Sequence, residues 1–164
     1  MEKNARLPFN PDIQGLRAIA ILLVVMCHAD VAIAKGGFVG VDIFFVISGY
    51  LITGLLLREQ RKSGRIAYGQ FIGRRLKRLL PSLITMIVAT TIAASFLLSG
   101  HEALEQLKSL IYASTWTSNL FFAFSDAGYF AELASKDLFL HTWSLGVEEQ
   151  FYLLWPLILT VMGL

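Results

Sequence analysis

The chain has 164 residues, 55% of them hydrophobic and 16% charged, which leaves too few polar groups to cover a water-soluble domain of this size. The mean hydropathy of +0.62 agrees. The formal charge of +2 rests on basic residues gathered mostly in one stretch, which argues against a nucleic-acid partner, and the single cysteine, Cys27, excludes an intrachain disulfide.

Residues 13–34 are apolar except for Gln14, Arg17, His28 and Asp30, and Pro11-Asp12 just ahead of them is a helix start. This pattern predicts a first membrane crossing. It is followed by no small-x-small cleavage site, so the segment is expected to stay in the membrane rather than leave as a signal peptide. Lys35-Gly36-Gly37 predicts a tight turn, and residues 38–57, whose one charge is Asp42, predict an antiparallel second crossing. Over residues 58–78 the chain carries Arg58, Arg61, Lys62, Arg65, Arg74, Arg75, Lys77 and Arg78 against the single acid Glu59. The positive-inside rule makes this a cytoplasmic loop, and Lys3 and Arg6 put the N-terminus on the same side.

A third crossing is expected over residues 79–98, with Pro81 in its first turn, where a missing amide proton costs little. Residues 99–142 carry Lys108 and Lys136 against Glu102, Glu105, Asp126, Glu132 and Asp137, the balance of an exterior loop. Within that loop residues 104–124 predict one amphipathic surface helix, with Leu107, Leu110 and Ile111 at helical spacing. Residues 143–164 are read as a fourth crossing. The expected fold is an all-α, polytopic transmembrane helical bundle, truncated after about four membrane helices.

Ionisable groups at membrane depth are costly and mark candidate functional sites. Arg17 and His28 lie almost three turns apart on nearly one helix face, about 16 Å along the axis. Asp42 has two readings: a carboxylate that fixes the His28 tautomer, or a negative charge favoured at a helix N-terminus. Ser48, Gly49, Thr53 and Gly54 form a small-residue surface suited to close helix packing; Ser48 as a nucleophile needs a base that the sequence does not identify. Arg74, Arg75 and Arg78 flank the third crossing. Arg75 and Arg78 share a face and suit a phosphate or pyrophosphate, although a basic flank needs no ligand. Glu148 and Glu149 stand just inside the fourth crossing, 100° apart around the helix, so one is expected to line a site while the other caps or pairs. No metal-binding set is expected.

The run Pro11-Asp12-Ile13-Gln14-Gly15-Leu16-Arg17-Ala18, then His28, then Gly36-Gly37-Phe38-Val39-Gly40-Val41-Asp42-Ile43-Phe44-Phe45-Val46-Ile47-Ser48-Gly49-Tyr50-Leu51-Ile52 resembles the opening of the acyltransferase family 3 membrane proteins, which include peptidoglycan and lipopolysaccharide O-acetylases. Arg75-Leu76-Lys77-Arg78 and the block His141-Thr142-Trp143-Ser144-Leu145-Gly146-Val147-Glu148-Glu149-Gln150-Phe151-Tyr152 resemble two further hallmarks of that family.

The resemblance implies a multi-pass enzyme of the bacterial inner membrane that takes an acyl group, usually acetyl, from acetyl-CoA or another acyl-CoA and delivers it to a hydroxyl of a surface or envelope carbohydrate. It implies His28 as catalytic histidine, Arg17 as its partner, Arg75 and Arg78 as donor-binding residues, and Glu148 and Glu149 as an essential acidic block. It also implies further crossings, a C-terminal SGNH-type domain in the most similar members, and no activity for residues 1–164 alone. A transporter or flippase for a glycan or small anionic solute is the alternative that intramembrane charges also fit.

Overall fold

The computed structural model describes residues 10–124 and 137–163. Lys3, Arg6, Asp126, Glu132 and Lys136, on which part of the charge-based topology rests, lie outside the described residues. All regular structure among the described residues is helical: α1 (Pro11–His28), α2 (Val39–Ser63), α3 (Tyr68–Leu97), α4 (Gly100–Ser114), α5 (Ser118–Phe124) and α6 (Trp143–Val161), with 3-10 turns at Ala32–Ala34 and Leu140–Thr142. The described residues fall into two compact units, one within Met1–Ala67 and Pro156–Leu164, the other Tyr68–Trp155.

In the first unit, Asn10 caps α1 by accepting the Asp12 amide at 2.9 Å, and Pro11 takes the first turn, where its missing N–H is an orphan anyway. α1 ends at His28, short of the expected residue 34, because Asp30 turns into the left-handed region at φ 52, a conformation that aspartate tolerates better than most residues. The connection to α2 is therefore longer than the predicted Lys35-Gly36-Gly37 turn. α1 packs on α2 with backbones in close approach. A Cβ on Gly40 would stand 2.5 Å from the Ala20 carbonyl oxygen and 2.8 Å from a Val24 methyl, and one on Gly37 would strike the Leu23 carbonyl and lie 2.9 Å from Cys27 Cβ. Ala20, Val24 and Cys27 thus form the α1 face that receives these glycines. Gly49, expected at such a contact, has open space beside it.

α2 runs to Ser63, where Gly64 at φ 71 closes it by donating its backbone N–H to the Gln60 carbonyl oxygen at 2.7 Å. α3 starts at Tyr68, so the expected loop over residues 58–78 is only residues 64–67. Arg, Lys and Gln are good helix formers; hydropathy marks where a helix leaves apolar surroundings, not where it unwinds. Pro81 consequently sits well inside the 30-residue α3 instead of in a first turn.

In the second unit a capping box starts α4: Ser99 Oγ accepts the Glu102 amide at 3.4 Å, and the Glu102 carboxylate accepts the Ser99 amide at 2.9 Å. The single helix expected over 104–124 is broken. Thr115 Oγ1 donates to the Ile111 carbonyl at 3.0 Å and the Thr117 amide donates to that of Tyr112 at 2.9 Å, diverting acceptors from helical continuation; Trp116 then turns at φ 55. Across α4 and the end of α3, Thr91, Ala94, Leu104, Leu107, Leu110 and Phe139 line an apolar cavity of about 300 Å³.

α1, α2 and α3 are long and apolar enough to cross a membrane. α6, expected as a fourth crossing, is not among them: Glu148, Glu149 and Gln150 lower its hydropathy. Ile84, Val88, Ile92 and Phe96 form an exposed apolar stripe along α3, and Ile19, Leu22 and Val25 are exposed on α1, surfaces suited to lipid more than to water.

Candidate active site

His28 is the last residue of α1, and its Nδ1 lies 2.8 Å from the Val24 carbonyl oxygen. A carbonyl only accepts, so Nδ1 is the nitrogen that carries the proton and donates. In the neutral ring the lone pair is then at Nε2, which has no partner among the described residues. The ring's tautomer is thus set by the preceding helical turn. Asp42 occupies the first turn of α2, exposed, and has no hydrogen bond or ion pair with His28 among the described residues. Arg17 is half-buried on α1 and makes no ion pair among the described residues.

The second unit brings another group together. On α3, Phe71 and Arg75 are one turn apart, and on α6 so are Glu148 and Tyr152. The Arg75 guanidinium carbon lies 4.8 Å from the centre of the Tyr152 ring and 5.6 Å from that of Phe71, two rings that meet edge to face at 6.4 Å. Both are buried, while Arg75 is half-buried. The Tyr152 hydroxyl donates to the Glu148 carboxylate. Glu149, one step of 100° further around α6, is 5% exposed, and its Oε1 has no hydrogen-bond partner among the described residues. Arg74 and Arg78 are exposed. The structure thus separates Arg75, held by aromatic faces, from its neighbour Arg78.

Tyr152 and Phe71 were not among the candidates that the sequence suggested. Their signal was the i,i+4 spacing of Phe71 to Arg75 and of Glu148 to Tyr152, which puts an aromatic beside each charge. Next to this cluster a second polar knot fixes α5 to α6. Asn119 Nδ2 donates to Gln150 Oε1 at 2.9 Å, while Gln150 Nε2 donates to Asn119 Oδ1 at 3.0 Å and to the Trp116 carbonyl at 3.1 Å. No three His, Cys, Asp or Glu side chains among the described residues are grouped so as to hold a metal ion.

Residues 10–164 match the family described as the acyltransferase domain. The chain belongs to this acyltransferase family. It is 43% identical over 152 residues to the peptidoglycan O-acetyltransferase OatA of Listeria monocytogenes serovar 1/2a, a match covering 92% of this chain and 24% of that protein. It is 36% identical over 162 residues to the O-acetyltransferase OatA of Staphylococcus aureus strain NCTC 8325 / PS 47, covering 99% of this chain and 26% of that protein. The chain therefore spans about a quarter of the length of these curated relatives. No solved structure matches it.

Proposed function

We propose that the chain is part of a membrane O-acetyltransferase that moves an acetyl group from cytoplasmic acetyl-CoA to a hydroxyl of a cell-envelope carbohydrate. The observation that carries the reading is the His28 imidazole, its Nδ1 tied to the Val24 carbonyl and its Nε2 lone pair left open, at the end of a membrane-length helix in an acyltransferase-family chain. The peptidoglycan activity in the name of the Listeria relative supports a peptidoglycan sugar as acceptor.

Nε2 serves one of two routes. As general base it takes the proton of the acceptor hydroxyl while the oxygen attacks the thioester carbonyl, the C–S bond breaks, and the leaving thiolate recovers the proton. As acyl carrier it attacks the carbonyl itself and the C–S bond breaks to release the thiolate; in a second step the acceptor oxygen attacks, the C–N bond breaks, and the hydroxyl proton goes to the released thiolate. Either route calls for restricted water, since hydrolysis of the thioester competes. The basic residues of α2 and the start of α3 favour a cytoplasmic position for that flank, where Arg75 and Arg78 meet the donor phosphates. With the start of α1 on the same side, its 18 residues rise about 27 Å and carry His28 toward the outer face. That placement suits delivery to an envelope sugar from a bacterial plasma membrane, with Arg17 deeper along the same helix.

The test is acetyl-CoA-dependent labelling of envelope glycans in cells carrying the full-length gene, comparing wild type with His28→Ala at equal membrane abundance. The reading expects labelling in the wild type and its loss in the variant. Labelling that survives His28→Ala removes His28 from the chemistry, and glycan movement without consumption of an acyl donor points to a transporter.

A further inference from the structure

We propose that Tyr152 is a positioning residue for donor recognition: its ring holds the Arg75 guanidinium in place, so that the arginine's N–H donors stay available to the phosphates of the acyl donor. The inference rests on the donor-binding role given to Arg75 above and deepens it. Three observations carry it. The guanidinium carbon stands 4.8 Å from the Tyr152 ring centre, inside the range in which a cation is drawn to an aromatic face. Tyr152 is itself fixed, 4% exposed and with its hydroxyl on the Glu148 carboxylate one turn back, so the support does not swing away. Arg75, although half-buried and on the same unit as Glu148 and Glu149, makes no hydrogen bond or ion pair among the described residues.

These facts fit together physically. A half-buried guanidinium normally satisfies its five donors on carboxylates or carbonyls. Here the cation is stabilised through π faces, which use none of those donors, and a neighbouring carboxylate is engaged by the Tyr152 hydroxyl. A phosphate arriving at Arg75 therefore displaces no protein acceptor and meets a planar fork already confined by two rings, so little side-chain freedom remains to be lost on binding. Phe71 adds the second face from α3 at 5.6 Å.

The experiment uses inverted membrane vesicles from cells expressing the full-length gene, with labelling measured as acetyl-CoA is varied for wild type, Arg75→Ala, Tyr152→Leu and Tyr152→Phe. Tyr152→Leu is expected to raise the apparent KM for acetyl-CoA about 3- to 10-fold with the maximal rate per protein little changed, whereas Tyr152→Phe, which keeps the ring and loses only the hydroxyl's tie to Glu148, is expected to raise it clearly less than the leucine variant does. Tyr152→Met, which fills the space without a π face, replaces the leucine variant if the latter does not accumulate. An unchanged KM in the aliphatic variant, or equal damage from Tyr152→Phe, overturns the proposal. Arg75→Ala separates the layers: a raised KM there with none in Tyr152→Leu removes only the positioning role, and an unchanged KM in Arg75→Ala removes the donor reading and the proposal with it.

Discussion

In the unit built on α1 and α2, backbone meets backbone: Gly40 lies against the Ala20 carbonyl, Gly37 against that of Leu23, and His28 is oriented by a carbonyl of its own helix. In the unit of residues 68–155, side chains meet side chains: Arg75 on Tyr152 and Phe71, Tyr152 on Glu148, Asn119 on Gln150. The contrast has a consequence for how each unit responds to mutation. Where backbones touch, the tolerance for added volume is small but the imidazole's tautomer needs no neighbouring residue to set it. Where side chains interlock, single replacements remove one contact at a time and leave graded effects.

The largest expected effect is that of His28→Ala in the full-length protein, a loss of acetyl transfer of at least about 100-fold, the usual contribution of a positioned base or nucleophile, with abundance unchanged because His28 is exposed. Gly40→Ala sharpens the contrast from the other side. Its new methyl meets backbone at 2.5 Å that cannot rotate away, so it is expected to destabilise the α1–α2 pair by about 3 kcal/mol and to lower membrane abundance on immunoblots. A fully abundant Gly40→Ala protein would mean that the two helices can part without harm.

Gly146→Ala is the corresponding probe of the second unit and is expected to be milder. A Cβ at Gly146 would stand 2.7 Å from Asn119 Oδ1 and 3.0 Å from the Trp116 carbonyl oxygen, breaking the reciprocal amide pair with Gln150. The loss expected is about 1–2 kcal/mol, read as a lowered Tm of the purified full-length protein. Asn119→Ala clears that space at the expense of the same hydrogen bonds, so the double variant should be less than additive. Additive losses would show that Gly146 and Asn119 act independently.

What the sequence made legible follows the same division. The helices and the placement of Arg17 and His28 on α1 follow from hydropathy and the 3.6-residue period, both local properties. The end of α1 at His28 was not legible, because Asp30 adopts a left-handed conformation that composition does not announce. Neither was the break at Trp116, where threonine side chains compete for the helix's carbonyls. The basic stretch was recognised by its charge, yet most of it is helix, since solvation of Lys and Arg and helix formation are not alternatives. In the sequence Gly37 reads as part of a turn and Gly40 as part of a family motif, but their role as the point of close approach is a tertiary fact. The aromatic support of Arg75 pairs Phe71 and Tyr152 across a long sequence separation, and no local pattern states which helices meet.

The smallest expected effect concerns pH and lies within the second unit. Glu102 is held below the usual carboxylate range by the Ser99 hydroxyl and then by the Ser99 amide, both donating to it. A depressed carboxylate contributes stability that is present above its unfolded pKa and lost as pH falls through its folded one, so the first turn of α4 should loosen on acidification. Burial pushes Asp137 the other way, above its usual range, partly offset by the Phe139 amide donating to it at 2.8 Å. A raised carboxylate favours the fold most below its unfolded pKa and loses that contribution as pH rises through the folded value. Hydrogen exchange on the full-length protein, corrected for intrinsic rates and taken from about pH 6 to about pH 3, should therefore show protection falling at Ala103 and Leu104. In Glu102→Gln the α4 amides should start less protected and respond little to pH. Equal pH dependence in the two proteins would move the acid sensitivity of this turn away from the capping box and onto some other group.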